Sequence, residues 1–417
     1  MSNKRSEFTK NVLTLMTGTT IAQAIPIAIS PILTRLYTPK DFGVLALFVA
    51  ITSIFGSISN GRYELAIMLP KKDEDAINIL ALGFIINIML SLILLIIVFI
   101  FHNRLLELLS NKNISPWLYF VPFSVFLMGC FNLLNYFNNR KKLYKDLAQA
   151  NVIKSISMAI VQLSFGFFKT GAFGLISGQL ASQIFSNTKL FFNIKKRGLF
   201  VNITKLKIIA LGKKYKDFPK FSMWAVLANA LSQNLTNILI SSFYSIKTLG
   251  FYSLAQRILG MPSSLIGNSI GQVFFQEATK EKQSSGKAIK TFNTTFKKLL
   301  LIAIPFFGIL YFIIEDLFSF VFGEEWRIAG KYTKILIPLF AVRFVIAPLT
   351  MMNIVFQKNH IGFYWQVGLL FLHIVTLYIS YTLNFSFEKY LFIMSIVIIL
   401  HYLLILIIVS SYNKNKT

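Results

Sequence analysis

Long apolar stretches dominate this chain, and they constrain its fold more than any other feature. A helix needs about 20 mostly apolar residues to cross a bilayer. Only 14% of the residues are charged, whereas a soluble domain carries roughly 25%. We therefore predict an all-α, polytopic membrane protein of 12 transmembrane helices. The predicted spans lie near residues 11–36, 42–60, 77–101, 116–138, 147–168, 171–193, 219–242, 248–275, 297–322, 331–357, 362–384 and 389–411.

The first stretch has to be distinguished from a cleavable signal peptide, which also places basic residues before an apolar run. The segment from Ala22 to Ala24 resembles a peptidase site. The apolar run nevertheless continues to Leu36, which is too long for a cleaved signal. We therefore expect a membrane-spanning first helix.

The distribution of basic residues predicts the orientation. With the N-terminus inside, 28 of the 42 Lys and Arg lie in cytoplasmic segments, nine lie in external loops and five lie within spans. Cytoplasmic segments of membrane proteins carry this excess of positive charge. We therefore expect both termini in the cytoplasm. Most of the net charge of +26 then reflects orientation and contact with the lipid surface.

A weak internal repeat divides the chain. LYTPKDFGVLAL (36–47) and FYSIKTLGFYSL (243–254) share Tyr, Lys, Gly and Leu at an offset of 207 residues, nearly half of 417. Six spans separate the copies, so the halves share one orientation and are expected to be related by a pseudo-two-fold axis along the membrane normal. We predict six-helix lobes at 1–194 and 219–417, joined by a basic cytoplasmic connection at 195–218. This architecture is typical of alternating-access transporters.

Cationic side chains inside the spans are the strongest indication of a binding site. Ionisable groups there cost about 2.5–3.5 kcal/mol on insertion scales and usually line a cavity. Arg257 and Arg343 lie deep in their spans, and no acid lies at comparable depth. The nearest acids lie towards span ends: Glu64 and Glu277 at cytoplasmic ends, and Glu315 and Asp316 at the external end of span nine. Lys154 and Arg35 are lesser candidates. Instead of lining a cavity, Lys154 could extend its side chain towards the cytoplasmic headgroups, and Arg35 could anchor its helix at the external interface.

Polar amides recur at helical spacing along several spans. Such stripes suit a wet cavity and can bind sugar hydroxyls, although hydrogen bonding between helices is an equally good interpretation. Gly174–Gly178 and Gly267–Gly271 have the GxxxG spacing that permits close helix packing. The amide candidates are Gln23, Gln179, Gln183, Asn229, Gln233, Asn237, Asn268 and Gln272.

Signals for catalysis are weak. Asp73-Glu74-Asp75 resembles the DxD motif of glycosyltransferases, but we interpret it as a solvated turn in which Asp75 caps span three. One cysteine and four scattered histidines form no local metal motif. We therefore predict no catalytic residues, no metal and no cofactor, and we expect neither an enzyme nor a nucleic-acid partner.

Four segments carry a family resemblance. They are TxxAQAIPIAISPILTRLYTPKDFGVLALF from Thr19, GRYELAIMLPKKDEDA at 61–76, YKDFPKF at 215–221, and LGFYSLAQRILGMPSSLIGNSIGQVFFQEA at 249–278. The chain resembles the polysaccharide transporters of the multidrug/oligosaccharidyl-lipid/polysaccharide (MOP) exporter superfamily, above all the Wzx-type flippases of O-antigen and capsule synthesis. The segment 215–221 is interpreted either as a gate or as the entry to span seven.

The resemblance implies a MATE- and MurJ-like fold with two lobes around a cationic cavity, in the cytoplasmic membrane of a bacterium. It also implies a substrate, undecaprenyl-pyrophosphate-linked oligosaccharide. Arg257 and Arg343, with Lys154 and Arg35, are then the candidates for binding the pyrophosphate, and the amides for lining the glycan path. The implied partners are this substrate, membrane lipids, a polysaccharide polymerase and a chain-length regulator.

Three alternatives remain at this point. A lipid II flippase of the same superfamily more often has fourteen spans. A multidrug cation antiporter usually needs buried carboxylates, and the sequence predicts none. A membrane-bound glycan polymerase or ligase is expected to have large external loops, whereas the external loops here are short.

Overall fold

The computed structural model describes residues 14, 17–196, 203–262 and 267–412. The chain divides into two compact units, Met1–Ser242 and Phe243–Thr417, here called unit 1 and unit 2. All regular elements in the described ranges are helical. Unit 1 includes most of the helix predicted as span seven, which the predicted lobe boundaries assign to the second half. This division differs from the predicted one, whose connection lies at 195–218, and the predicted lobe boundaries stay a prediction.

Unit 1 contains eleven described helices, of which α1 covers residues 17–28. The others are α2 (Ser30–Leu36), α3 (Pro39–Gly56), α4 (Tyr63–Ala66), α5 (Asp73–Leu109), α6 (Ser115–Leu118), α7 (Val121–Arg140), α8 (Tyr144–Phe167), α9 (Ala172–Lys196), α10 (Lys205–Lys214) and α11 (Met223–Phe243).

Unit 2 contains seven described helices. They are α12 (Ile246–Pro262), α13 (Asn268–Ser285), α14 (Ile289–Phe322), α15 (Arg327–Leu349), α16 (Met352–Val355), α17 (Asn359–Thr382) and α18 (Phe387–Ser411).

The repeated segment forms the same local structure in both units. Helices α2 and α11 end, and α3 and α12 begin, at positions that differ by 207 residues. Thr38 caps α3 in a capping box with Asp41, and Pro39 follows at the first helical position. In the second copy the Ser245 hydroxyl accepts a hydrogen bond from the backbone N–H of Thr248 at 2.9 Å. The matching boundaries and caps support the internal repeat.

Each unit has its own apolar core. In unit 1, buried side chains of α4, α5, α7, α8, α9 and α10 form one cluster, with Phe137 fully buried at its centre. In unit 2, aromatic rings of α12, α15 and α18 pack around Phe387, which contacts Tyr252, Tyr332 and Tyr390 with ring centroids 4.9–5.9 Å apart. These clusters fix the positions of the helices within each unit.

The number of membrane-spanning helices can be compared with the prediction. Seven of the described helical segments are long and apolar enough to cross a membrane, and an eighth is formed if Lys112–Leu118 and Val121–Arg140, bent by 55°, count as one span. The chain is thus a multi-pass helical membrane protein, but the predicted count of 12 is not confirmed. Amides lower the hydropathy of α9 and α11, and predicted spans one and eight include residues outside the described ranges.

Candidate functional site

A cavity of about 340 Å³ in unit 2 brings two of the predicted site residues together. It lies between α13 and α15, and Arg343 and Gln272 both contribute to its lining. No carboxylate belongs to the described lining, so the cavity carries a net positive charge. The lining residues are Gly267, Gly271, Gln272, Phe275, Arg343, Phe344, Ala347, Pro348 and Met351.

Two glycines keep this cavity open. A Cβ added at Gly267 would meet no described atom within 4 Å, and one at Gly271 would lie 3.8 Å from Pro348. Gly271 thus lies at van der Waals distance from α15, and the expectation that this GxxxG pair permits close helix packing stays a prediction. The pair forms a wall without side chains, and it leaves space beside Arg343.

Arg343 is exposed although it lies well inside α15. Its guanidinium lies 5.7 Å from the centroid of the Phe340 ring, one turn earlier on the same helix. Its charge also acts on Tyr252, His373 and Tyr402, which belong to three other helices of unit 2. No ion pair with a carboxylate involves Arg343 within the described residues. A planar guanidinium with five donors in this setting suits an anion such as a phosphate.

Arg257 belongs to α12 of the same unit and is half-buried. The described lining of the Arg343 cavity does not include it. Its neighbour Gln256 donates a short hydrogen bond to the fully buried Tyr252 hydroxyl, which ties this turn of α12 to the core. A joint role of Arg257 and Arg343 therefore stays a prediction.

The two lesser cationic candidates lie in unit 1. Lys154 is half-buried in α8, and its ammonium lies 4.6 Å from the centroid of the Phe131 ring of α7, a cation–π distance. Arg35 is exposed in the last turn of α2. Their roles in binding stay predictions.

The amide stripes differ in their surroundings. On α9, Gln183 is buried and Gln179 is half-buried. Next to them Asn187 donates a hydrogen bond to Leu127 O of α7 at 2.8 Å, so part of this stripe bonds one helix to another. The side-chain oxygen of Gln183 is buried without a hydrogen-bond partner among the described atoms.

On α11 the stripe is more accessible. Asn229 and Gln233 are exposed and hydrogen-bond to each other at 3.4 Å, and Asn237 is half-buried. Gln23 on α1 is exposed, whereas the side chain of Asn268 lies outside the described residues. The exposed amides fit a wet surface better than those of α9 do.

One buried carboxylate was not predicted from the sequence. Glu64 is only 2% exposed, and it accepts a hydrogen bond from Arg62 at 2.9 Å. Helix α4, which carries Glu64, packs against α5 and α7. The prediction that no buried carboxylate exists is therefore wrong, because the segment between spans two and three folds back into unit 1. Burial raises the pKa of Glu64, against the lowering effect of Arg62.

The acidic triplet is structural. Helix α5 begins at Asp73 with Lys72 at the cap position, so Asp75 does not cap it. Asp73 binds Arg140 and Lys141 at the end of α7, and Glu74 binds Lys207 of α10. These ion pairs join the start of α5 to neighbouring helices. Among the described residues, no group of three or more His, Cys, Asp or Glu could hold a metal ion.

Two further cavities lie within single units. One of about 460 Å³ lies between α1, α8 and α9 of unit 1, and Lys145 and Lys189 contribute to its lining. The other, of about 420 Å³, lies between α14, α15 and α18 of unit 2 and has a lining of apolar residues and one tyrosine. Neither contains a residue that the sequence analysis selected.

The fold defines a class of protein. A multidrug resistance MATE family transporter of the MOP superfamily, in an inward-facing conformation, matches with a TM-score of 0.69 at 15% identity over 96% of both chains. The lipid II flippase MurJ, in an inward closed conformation, matches with the same TM-score of 0.69 at 12% identity, over 95% of this chain and 87% of that one. The chain thus has the fold of MOP-superfamily transporters, as predicted.

The sequence comparisons identify the family. The family model described as "Polysaccharide biosynthesis protein" matches residues 32–330, and the chain belongs to this family. A curated relative, the succinoglycan biosynthesis transport protein ExoT of Rhizobium meliloti (strain 1021), is 21% identical over 305 residues. This match covers 72% of the present chain and 59% of the relative, so the chain spans about three fifths of its length.

Proposed function

We propose that this protein is a flippase that moves undecaprenyl-pyrophosphate-linked oligosaccharide from the cytoplasmic to the outer leaflet of a bacterial cytoplasmic membrane, by alternating access, during O-antigen or capsule synthesis. The single observation that carries this proposal is the cavity of unit 2, which Arg343 and Gln272 both line and whose described lining has no carboxylate. Membership of the polysaccharide biosynthesis family and the transport function in the name of its relative support it.

The chemistry of the cavity suits this substrate. A guanidinium binds phosphate oxygens in a bidentate manner, and such charge-assisted hydrogen bonds contribute about 1.5–3 kcal/mol each. An amide beside it can donate to and accept from a sugar hydroxyl. In a membrane with a negative interior, outward movement of each negative charge is favoured by about 2.3 kcal/mol per 100 mV. The membrane potential would therefore assist export.

A lipid II flippase is the second candidate, because MurJ shares the fold over most of its length. The substrate distinguishes the two. Purified protein in proteoliposomes is given either lipid II or an undecaprenyl-pyrophosphate-linked oligosaccharide from the host's own polysaccharide pathway. We expect flipping of the second and not of the first.

The site is tested in a deletion strain that is complemented with variants and scored for surface glycan. Arg343→Ala is expected to reduce glycan display at least about tenfold, because it removes charge-assisted bonds to the pyrophosphate. Arg343→Lys, which keeps the charge but not the bidentate geometry, is expected to retain part of the glycan display. Arg257→Ala and the double variant test the joint role. Membrane levels of each variant are measured by immunoblotting.

Arg327→Ala is the matched control on the same helix. Arg327 is half exposed and pairs with Asp316 at 2.8 Å and with Glu324 at 2.6 Å, so its loss is expected to leave display unchanged. Normal display in the Arg257→Ala/Arg343→Ala double variant would refute the cationic site. Glycan transfer by the purified protein would instead indicate a polymerase or ligase.

A further inference from the structure

Helix α10 is held firmly against unit 1 through one face. Leu211 is 7% exposed and belongs to the unit 1 core. The polar contacts of this face involve α4 and the first turns of α5. They join Thr204 N–H to Asn78 Oδ1 at 2.9 Å, Lys207 Nζ to Glu74 Oε1 at 2.6 Å, and the Tyr63 hydroxyl to Gly212 O at 2.9 Å.

The opposite face of α10 is apolar and open. Leu206 is 83% exposed, and Ile209, one turn later on the same face, is 48% exposed. Ile203, which precedes the cap residue Thr204, is 51% exposed. Lys205 and Lys213 are exposed at either end of this face. An apolar face bordered by lysines is the pattern of a helix that lies in the membrane interface.

The position of α10 on α5 indicates what covers this open face. The residues of α5 that hold α10 are Glu74, Asn78 and Leu82, which follow one another at intervals of four. The same stripe of α5 continues along the helix as a row of exposed apolar side chains. They are Ile85 (46% exposed), Met89 (57%), Leu92 (53%) and Ile96 (57%).

Such a row on a 37-residue apolar helix faces lipid. Helix α10 therefore lies at the end of a lipid-facing surface, at the level where hydrocarbon gives way to headgroups. Its segment is basic, and basic segments next to spans are typical of the cytoplasmic side, where anionic lipids concentrate.

We propose that α10 is an interfacial helix whose face of Leu206 and Ile209, together with Ile203 just before the helix, enters the cytoplasmic leaflet, while Lys205 and Lys213 bind anionic phospholipid headgroups. The occupant of the open face is thus the lipid surface itself rather than a protein. This binding surface is independent of the Arg343 cavity, and it is tested without a transport assay.

Fluorescence quenching tests whether the face enters the membrane. In the full-length Cys130→Ala protein, Leu206→Cys and, as a control on an exposed polar part of α13, Gln283→Cys are labelled with an environment-sensitive fluorophore. The proteins are reconstituted into vesicles of phosphatidylcholine with an equal part of phosphatidylglycerol. We expect nitroxide-labelled lipid to quench the probe at 206 and aqueous iodide to quench the probe at 283. Equal iodide quenching at both positions would refute insertion.

Hydrogen exchange tests the preference for anionic lipid. The amides of α10 are compared in phosphatidylcholine vesicles with and without phosphatidylglycerol. We expect slower exchange with the anionic lipid, by up to about fivefold for each lysine engaged. Lys205→Gln/Lys213→Gln should abolish the difference, whereas Lys280→Gln/Lys290→Gln, which changes two exposed lysines of unit 2, should not. Exchange that is independent of lipid charge in the wild-type protein would refute headgroup binding.

Discussion

The two GxxxG pairs have the same spacing and different surroundings. In unit 1, a Cβ at Gly174 would lie 2.1 Å from the Tyr37 hydroxyl oxygen, and one at Gly178 would lie 2.3 Å from Gln162 Cγ. These glycines therefore permit direct helix contact, as expected. In unit 2, Gly267 and Gly271 border the cavity of Arg343 instead. Identical spacing thus accompanies very tight helix contact in unit 1 and looser contact among the described atoms of unit 2.

The cations of the two units differ in the same way. In unit 1, Arg62 has Glu64 as its partner, and the pair is largely removed from solvent. In unit 2, Arg343 is exposed in a cavity whose described lining has no acid. A cation with a buried partner stabilises the fold, whereas a cation without one is available to a ligand. The predictions below test this contrast between a closed unit 1 and an open site in unit 2.

The largest effect on stability is expected from Arg62→Gln. It leaves the buried carboxylate of Glu64 without its cation, which should lower the free energy of unfolding by about 3 kcal/mol at neutral pH. The measurement is a denaturing-detergent titration of the purified protein. Arg104→Gln is the control, because its pair with Glu107 is exposed on both sides, and it should cost less than about 1 kcal/mol. Equal costs would contradict the contrast.

Gly174→Ala is expected to have the next largest effect. The added methyl group meets the Tyr37 hydroxyl, which donates to Gln162 O at 2.6 Å, so the helices must separate at a cost of about 1–3 kcal/mol. Gly267→Ala is the matched substitution in unit 2 and should leave the free energy of unfolding unchanged or slightly higher. A loss of stability in Gly267→Ala would show that the second pair is also packed.

The caps of the repeated turn should show a smaller difference. Thr38→Ala removes the capping box of α3 and should lower the free energy of unfolding by about 1 kcal/mol. Ser245→Ala removes a cap at the equivalent position of unit 2, which involves Thr248 and no acid, and should cost less. A double-mutant comparison with Asp41→Ala measures how much of the cost of Thr38→Ala depends on the box.

The smallest effect concerns pH. Burial raises the pKa of Glu64, so its protonated form is favoured in the folded protein. The stability that this group contributes is complete below its ordinary pKa of 4.5 and is lost as the pH rises through the raised value. Glu64→Gln should remove this part of the decrease in stability with rising pH. An unchanged pH profile would contradict the burial of a titrating carboxylate.

Several structural features of this protein were predictable from local sequence patterns. Apolar stretches between basic breaks predicted the long helices, because a bilayer requires length and hydropathy from each helix separately. The repeat at 36–47 and 243–254 predicted equivalent turns, and its caps are local interactions that each segment forms alone. Arg343 and Gln272 were selected from their depth and polarity, and they share one cavity. Their selection needed no knowledge of neighbours.

The errors have a common physical cause. Asp75 was expected to cap span three, but Asp73 and Glu74 bind cations from outside α5, and the cap position is Lys72, three residues before Asp75. Glu64 follows an ordinary loop pattern, yet α4 buries it. Both outcomes depend on contacts between residues that are distant in the chain. A pattern of nearby residues carries no information about such contacts.

The sequence by itself determined that this is a multi-pass helical membrane protein with a repeated turn and a few cations within its spans. These properties follow from hydropathy, charge and capping, which act over a few residues. Only the tertiary structure decided which glycine pair packs more tightly, which carboxylate is buried, and which face of α10 is left uncovered. Each of these depends on the packing of side chains from separate helices, where a difference of a few ångströms decides between a contact and a cavity.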